Sequence, residues 1–257
     1  MAQNEKHILM NNRTKFGLVG KNISYSFSKK YFIEKFENLN LKKYSYFNFD
    51  IPEIEEFPFL LYHREEDFRG LNVTIPYKQS IIKYLDDISE EVKQIGAVNT
   101  IKITNDNKLI GYNTDVYGFT KSIQPLLNSE SKKALILGTG GASKAIAYAL
   151  KKMNIVVEFV TRNNHHQGIL YSDLTKEILQ NHQIIINCTP VGTFPNIEDK
   201  PQIPYQFITE NHIVFDLIYN PEETAFLKSA KKQGAIVKNG LEMLQLQAEK
   251  SWEIWNS

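Results

Sequence analysis

The run ALILGTGGASKAIAYALKKM, Ala134 to Met153, constrains this chain more than any other segment. Ala134 to Leu137 reads as a buried strand, Gly138 to Ser143 as a tight turn and Lys144 to Met153 as a helix. Glycines are needed where a backbone turns sharply and lies against a pyrophosphate, whose charge the N–H groups and dipole at a helix N-terminus stabilise. Strand, glycine turn and helix in that order predict the first βα unit of a dinucleotide-binding domain, with Gly138, Thr139, Gly140, Gly141 and Ala142 against the cofactor. Ser143 stands where the general G-x-G-x-x-G pattern has its third glycine.

The following strand ends Val160-Thr161-Arg162-Asn163. A carboxylate there would grip the ribose 2′-hydroxyl of NAD, whereas Arg162 offers a planar cation for a 2′-phosphate. NADP is therefore the expected cofactor, with Thr161, Arg162 and Asn163 around its ribose. His165-His166 in the same loop read as solvated rather than metal-ligating, and Cys188 as a small packed residue rather than a nucleophile.

From Phe16 onward apolar runs alternate with helical patterns, the rhythm of an α/β chain with mainly parallel sheets. Strands are predicted at 16–19, 44–49 and 71–75, a helix at 28–39, and an antiparallel hairpin at a sheet edge from 98–103 and 109–112. After a helix at 115–127, strands at 134–137, 156–160, 184–187, 213–217 and 235–237 form a doubly wound, Rossmann-like unit. Leu241, Leu244, Ala248, Trp252 and Trp255 fall at helical spacing, a stripe expected to pack back on the first domain. The predicted division is a polar tail (1–14), a substrate domain (15–115, joined by helix 240–257) and a cofactor domain (116–239).

Lys and Arg number 30 against 29 Asp and Glu, with no basic block, which leaves no electrostatic footprint for nucleic acid or an anionic membrane. A small molecule is the expected partner, and the chain is expected to act as a monomer or homodimer. The single cysteine excludes an intramolecular disulfide, and no apolar run reaches the ~18 residues of a membrane span. The polar N-terminus lacks a signal-peptide core, so a cytoplasmic location is expected.

Four motifs cluster in the first half: Ser26-Phe27-Ser28, Asn72-Val73-Thr74-Ile75-Pro76-Tyr77-Lys78, Gly96-Ala97-Val98-Asn99-Thr100 and Gly111-Tyr112-Asn113-Thr114-Asp115. Singly, Ser28 reads as a helix N-cap, Lys78 as a surface residue, Asn99 as a strand-end polar group and Asp115 as the N-cap of the next helix. In this order, ahead of GTGGAS, they resemble the shikimate dehydrogenase family, whose hallmarks include a Ser-x-Ser pair, N-V-T-x-P-x-K, G-A-V-N-T, N-T-D and G-x-G-G-A. The resemblance continues through Asn187-Cys188-Thr189-Pro190, Asp216 to Pro221 and Gly240 to Gln247.

That resemblance implies that Ser26, Ser28, Thr74, Asn99, Asp115, Tyr219 and Gln247 contact shikimate or 3-dehydroshikimate, and that Lys78 and Asp115 are the catalytic pair. It places Thr189, Leu217 and Gly240 with the cofactor. On this reading Lys78 gives the proton when hydride from NADPH reduces the ring ketone, and Asp115 steadies the ammonium. A broader quinate/shikimate dehydrogenase using NAD or NADP, and a non-catalytic metabolite sensor on the same scaffold, are the alternatives. A folate-linked dehydrogenase would leave Ser26, Ser28 and Asp115 unexplained. The chain departs from the family at Lys29, at Thr161-Arg162-Asn163 in place of Asn-Arg-Thr, and at Glu242.

Overall fold

Among the described residues, two six-stranded sheets carry the fold, one in each of two units. The computed structural model describes residues 14–24, 26–62, 68–162 and 168–257. The first unit runs to Thr114 and takes in Ser251–Ser257, and the second is Asp115–Lys250.

The first sheet is ordered β2 (Tyr44–Asp50), β1 (Thr14–Gly20), β3 (Phe68–Val73), β5 (Thr100–Ile103), β6 (Leu109–Tyr112) and β4 (Asp87–Ile88). β1 is parallel to both neighbours, with Val19 opposite Phe49 and Val73. The hairpin of β5 and β6 forms as expected, but it is not the edge, because β4 pairs in parallel beyond β6. Two residues are too few to show a period, so β4 left no mark in the hydrophobic pattern.

Side-chain alternation gives this sheet two different faces. Val19, Leu71, Val73, Val98 and Ile101 join Phe57 and Ile81 in a buried aliphatic cluster. Aromatics cover the other face: Phe16 stacks on Trp255 at 4.7 Å between centroids, and Phe32 on Tyr46 at 4.8 Å. Phe32 comes from α1 (Phe27–Asn38), and Trp255 from the C-terminal helix Leu241–Asn256. The Trp255 indole donates to the Ile101 carbonyl at 3.0 Å and lies where any side chain at Gly70 would collide with it.

The second sheet is wholly parallel, in the order β12 (Ile236–Lys238), β11 (Ile213–Asp216), β10 (Ile184–Asn187), β7 (Lys133–Leu137), β8 (Val156–Thr161) and β9 (Ile169–Leu170). This is the doubly wound arrangement, with its topological switch between β7 and β10 and its ligand crevice expected at the carboxyl ends of those strands. Leu135, Leu137, Val160, Ile185 and Val214 pack against Phe226, Leu227 and Ala230. Phe119, on the helix Asp115–Ile123, meets Phe215 at 5.2 Å. A 3₁₀ turn, Gln124–Leu126, completes the helix expected to reach 127.

Gly118 leaves room for the Met243 carbonyl and Gln247, which a β-carbon would strike. The opening turns of the C-terminal helix therefore pack within the second unit, and only Ser251–Ser257 count with the first. Segment 240–257, expected to join the first domain whole, is divided along its length. No described helix is long and apolar enough to cross a membrane.

Candidate functional site

The loop carrying the paired serines is held by Asp50, whose carboxylate accepts from the main-chain N–H groups of Asn22 (2.8 Å) and Ile23 (3.2 Å). Asn48 Nδ2 closes the loop by donating to the Ile23 carbonyl at 2.9 Å. Ser26, not Ser28, caps α1: its Oγ accepts from the Ser28 N–H at 3.2 Å. Ser28 is thereby left buried within the first turn, where it hydrogen-bonds the Tyr46 phenol.

Thr74 and Lys78 stand in the turn after β3. The Thr74 N–H donates to Val19 O at 2.9 Å, and Gly20, having no side chain, makes room for the Thr74 methyl. Tyr77 is buried and donates its hydroxyl to Ile51 O at 2.7 Å, pinning the turn one residue before the half-buried Lys78. The Lys78 carbonyl accepts from Val98 N–H at 2.7 Å, which ties the lysine motif to the segment that bears Asn99.

Asn99 is buried in a polar network. Its Oδ1 accepts from the Thr114 N–H at 2.7 Å and from Thr100 Oγ1 at 3.1 Å, while its Nδ2 donates to Thr114 Oγ1 at 3.0 Å. Asn72 Nδ2 joins at Asn99 O and Thr100 Oγ1, both at 3.3 Å, and Ser251 Oγ lies 2.7 Å from Thr100 Oγ1. Burial pushes the Tyr46 phenol well above its usual value, partly offset by the bond to Ser28. Asn72, Thr100 and Thr114 fall inside motifs singled out in the sequence but were not assigned to the site. Tyr46 looked like any strand residue. Ser251 could have been found by its place one helical turn after Gln247.

In the second unit, Asp115 is buried in the first turn of the helix Asp115–Ile123, so it is not that helix's N-cap. Gln247 is buried with its Nε2 donating to Leu244 O at 3.0 Å, and Tyr219 is half-buried just beyond β11. The glycine turn leads into the helix Gly141–Lys152, capped by Gly140. Gly138 holds φ +104°, a left-handed conformation that suits glycine, and an added β-carbon would lie 3.0 Å from the Thr189 methyl. Around Gly140 there is open space, with no heavy atom within 4 Å of an added β-carbon. Ser143 fills the third-glycine position by turning inward, its Oγ donating to Gly140 O at 2.6 Å. An open, glycine-lined helix N-terminus fits a pyrophosphate.

Beside this turn, Asn187 Oδ1 accepts from both the Thr189 N–H (3.0 Å) and its hydroxyl (2.6 Å). Asn187 Nδ2 in turn donates to Asp216 Oδ1 at 3.0 Å, and Thr224 donates to Asp216 Oδ2 at 2.7 Å. Burial pushes the Asp216 carboxyl up to about 6 despite those donors. It also drives the thiol of the half-buried Cys188 well above its usual range, reinforced by the charges of Asp216 and Asp115, which disfavours the thiolate a nucleophile would need. Gly240 is obligatory for packing, since a β-carbon there would strike the Leu217 carbonyl. At the end of β8, Thr161 is buried and Arg162 exposed. The nearby Tyr171 phenol is pushed up to about 12 by burial, against the pull of Arg162. Asn163 and His165-His166 lie outside the described residues.

Residues 18–101 match the model of the shikimate dehydrogenase substrate binding domain. Over 266 aligned residues, covering 96% of this chain and 94% of the relative, the chain is 40% identical to shikimate dehydrogenase (NADP(+)) of Methanococcus maripaludis. Among solved structures it is similar to shikimate dehydrogenase of Aquifex aeolicus, at 34% identity and TM-score 0.83, covering 95% of this chain and 92% of that one. It is likewise similar to shikimate 5-dehydrogenase of Thermus thermophilus in complex with NADP(H) and shikimate, at 30% identity and TM-score 0.83, covering 94% and 93%.

Proposed function

The chain belongs to the shikimate dehydrogenase family, and we propose that it catalyses the reversible NADPH-dependent reduction of 3-dehydroshikimate to shikimate, on the route to chorismate and the aromatic amino acids. The observation that carries this reading is that both motif sets sit just past strand carboxyl ends of their own sheets: Thr74 and Lys78 beyond β3, and Gly138 to Ala142 beyond β7. Strand ends are where α/β sheets deliver ligand contacts.

Bound NADPH would supply the hydride. Gly138, Thr139, Gly140, Gly141 and Ala142 would hold its pyrophosphate, Thr161, Arg162 and Asn163 its 2′-phosphorylated ribose, and Thr189, Leu217 and Gly240 the remainder. Lys78 is proposed as the acid that protonates the ring oxygen as negative charge develops there, with Asp115 accepting from a ring hydroxyl. Ser26, Ser28, Thr74, Asn99, Tyr219 and Gln247 are proposed to satisfy the carboxylate and hydroxyls of the ring. The chain is assigned to the cytoplasm, as monomer or homodimer.

The test is a spectrophotometric assay of shikimate and quinate, each with NADP and NAD. Turnover fastest with shikimate and NADP is expected. Preference for quinate would change the substrate, faster turnover with NAD the cofactor, and no turnover with any pair would reject the assignment.

A further inference from the structure

Ser28 and Asn99 are expected substrate contacts, yet the buried groups linking them serve no role in the reaction as described. The link is continuous. Ser28 hydrogen-bonds Tyr46, and the Tyr46 hydroxyl lies 2.7 Å from Asn72 Oδ1. Asn72 Nδ2 reaches Asn99 O at 3.3 Å and Ser251 Oγ at 3.1 Å. Ser251 Oγ stands 2.7 Å from Thr100 Oγ1 and 3.2 Å from Thr114 Oγ1, the hydroxyls that bracket the Asn99 amide.

The direction of this relay is fixed by chemistry. A main-chain carbonyl can only accept, so Asn72 must turn its Nδ2 toward Asn99 O and its Oδ1 toward Tyr46. Tyr46 must then be the donor to Asn72. Removing that one hydroxyl leaves a buried amide oxygen unmatched and permits Asn72 to rotate, which disturbs both ends of the relay. Packing alone does not call for the polar atoms: the Tyr46 ring lies on Phe32 at 9° between planes, a stack phenylalanine would make equally well. Ser251 is fully buried in a helix, where alanine is the better helix former.

We propose that Tyr46 and Ser251 are positioning residues for the substrate, Tyr46 setting the orientation of Ser28 and Asn72, and Ser251 setting the hydroxyls that hold the Asn99 amide. Neither is assigned a contact with the ring. This inference rests on the shikimate reading of the site.

The experiment uses the full chain with Tyr46→Phe, Ser251→Ala and the double variant. Steady-state kinetics with shikimate and NADP, calorimetric titration with shikimate, and thermal melting are measured side by side. Tyr46→Phe is expected to raise the KM and Kd for shikimate ~5- to 20-fold and Ser251→Ala ~3- to 10-fold, the scale of one or two hydrogen bonds. The kcat should stay within about threefold and the KM for NADP unchanged, because only substrate orientation is altered. The double variant should lose less than the product of the single effects, as one connected network requires. Shikimate Kd unchanged in folded variants overturns the proposal, and so does a parallel rise in both KM values that tracks melting temperature. Should Tyr46→Phe fail to fold, Ser251→Ala decides by the same criteria. Wild-type protein that binds shikimate without turnover rejects the dehydrogenase reading while the titrations still judge the network. Absence of shikimate binding by wild type overturns both.

Discussion

The two units present their proposed site residues in opposite materials. In the first, Ser28 and Asn99 belong to a buried set of amides and hydroxyls, Tyr46, Asn72, Thr100, Thr114 and Ser251, where nearly every contact is made by a side chain. In the second, the glycine turn offers backbone: Gly138 at φ +104°, Gly140 facing open space, and a serine folded inward onto the turn. A ring of fixed hydroxyls demands particular donors and acceptors, whereas a pyrophosphate needs only N–H groups and close approach. The first unit should therefore be sensitive to side chains removed, and the second to side chains added.

The largest effect should come from Lys78→Ala, with kcat lowered ~100-fold or more and a smaller change in KM, measured in the shikimate-NADP assay. Near-normal turnover would remove Lys78 from the chemistry. Next, Gly138→Ala should raise the KM for NADP ~10-fold or more and lower the melting temperature, since it forces a left-handed alanine against Thr189. Gly140→Ala is its control: melting should hardly move, because the space is open, while NADP affinity falls. Equal behaviour of the two variants would break the claim that the turn is read through its backbone. Arg162→Ala should cut the preference for NADP over NAD by ~10-fold, with NAD-linked turnover little changed. An unaltered cofactor ratio would reject Arg162 as the reader of the 2′-phosphate.

The smallest effect concerns stability and pH. The Asp216 carboxyl holds its proton more tightly in the folded protein, at about 6, than the ordinary value of 3.8. Its contribution is thus fully present below pH ~4 and is lost as pH rises through about 6. Melting of wild type minus that of Asp216→Asn should decline by a few degrees across that window. A difference independent of pH would show that Asp216 is charged in the folded state throughout.

What could be read from the residues alone follows the same contrast. The backbone-built half was legible because its logic is local: apolar strand, glycines and helix lie within the twenty residues from Ala134 to Met153. Even so, Ser143 looked like a defect until its hydroxyl was found bonded to Gly140 O, closing the turn from within. The side-chain half was legible only where short motifs marked it, at Ser26, Ser28, Thr74, Lys78, Asn99 and Asp115. Its support was not: Tyr46 and Ser251 are separated by more than two hundred positions and meet through Asn72. No periodicity reports such a meeting. Strands β4 and β9, of two residues each, escaped for a simpler reason, being shorter than any repeat. The hairpin of β5 and β6 was consequently taken for the sheet edge.

The first unit closes on Ser251–Ser257. Trp255 bonds Ile101 and covers Gly70, Ser251 completes the cluster around Asn99, and Lys102 reaches Ser257. During synthesis, residues 14–114 therefore leave the ribosome lacking the segment that covers one face of their sheet. At roughly 5–20 residues per second, the whole of the second unit is translated, over about 7 to 27 seconds, before that segment exists. The second unit, contiguous from Asp115 to Lys250, has no such wait. Of the two units, the one translated earlier is thus completed later, and a nascent chain halted before Ser251 would carry the second unit complete while the first still lacks its aromatic cover.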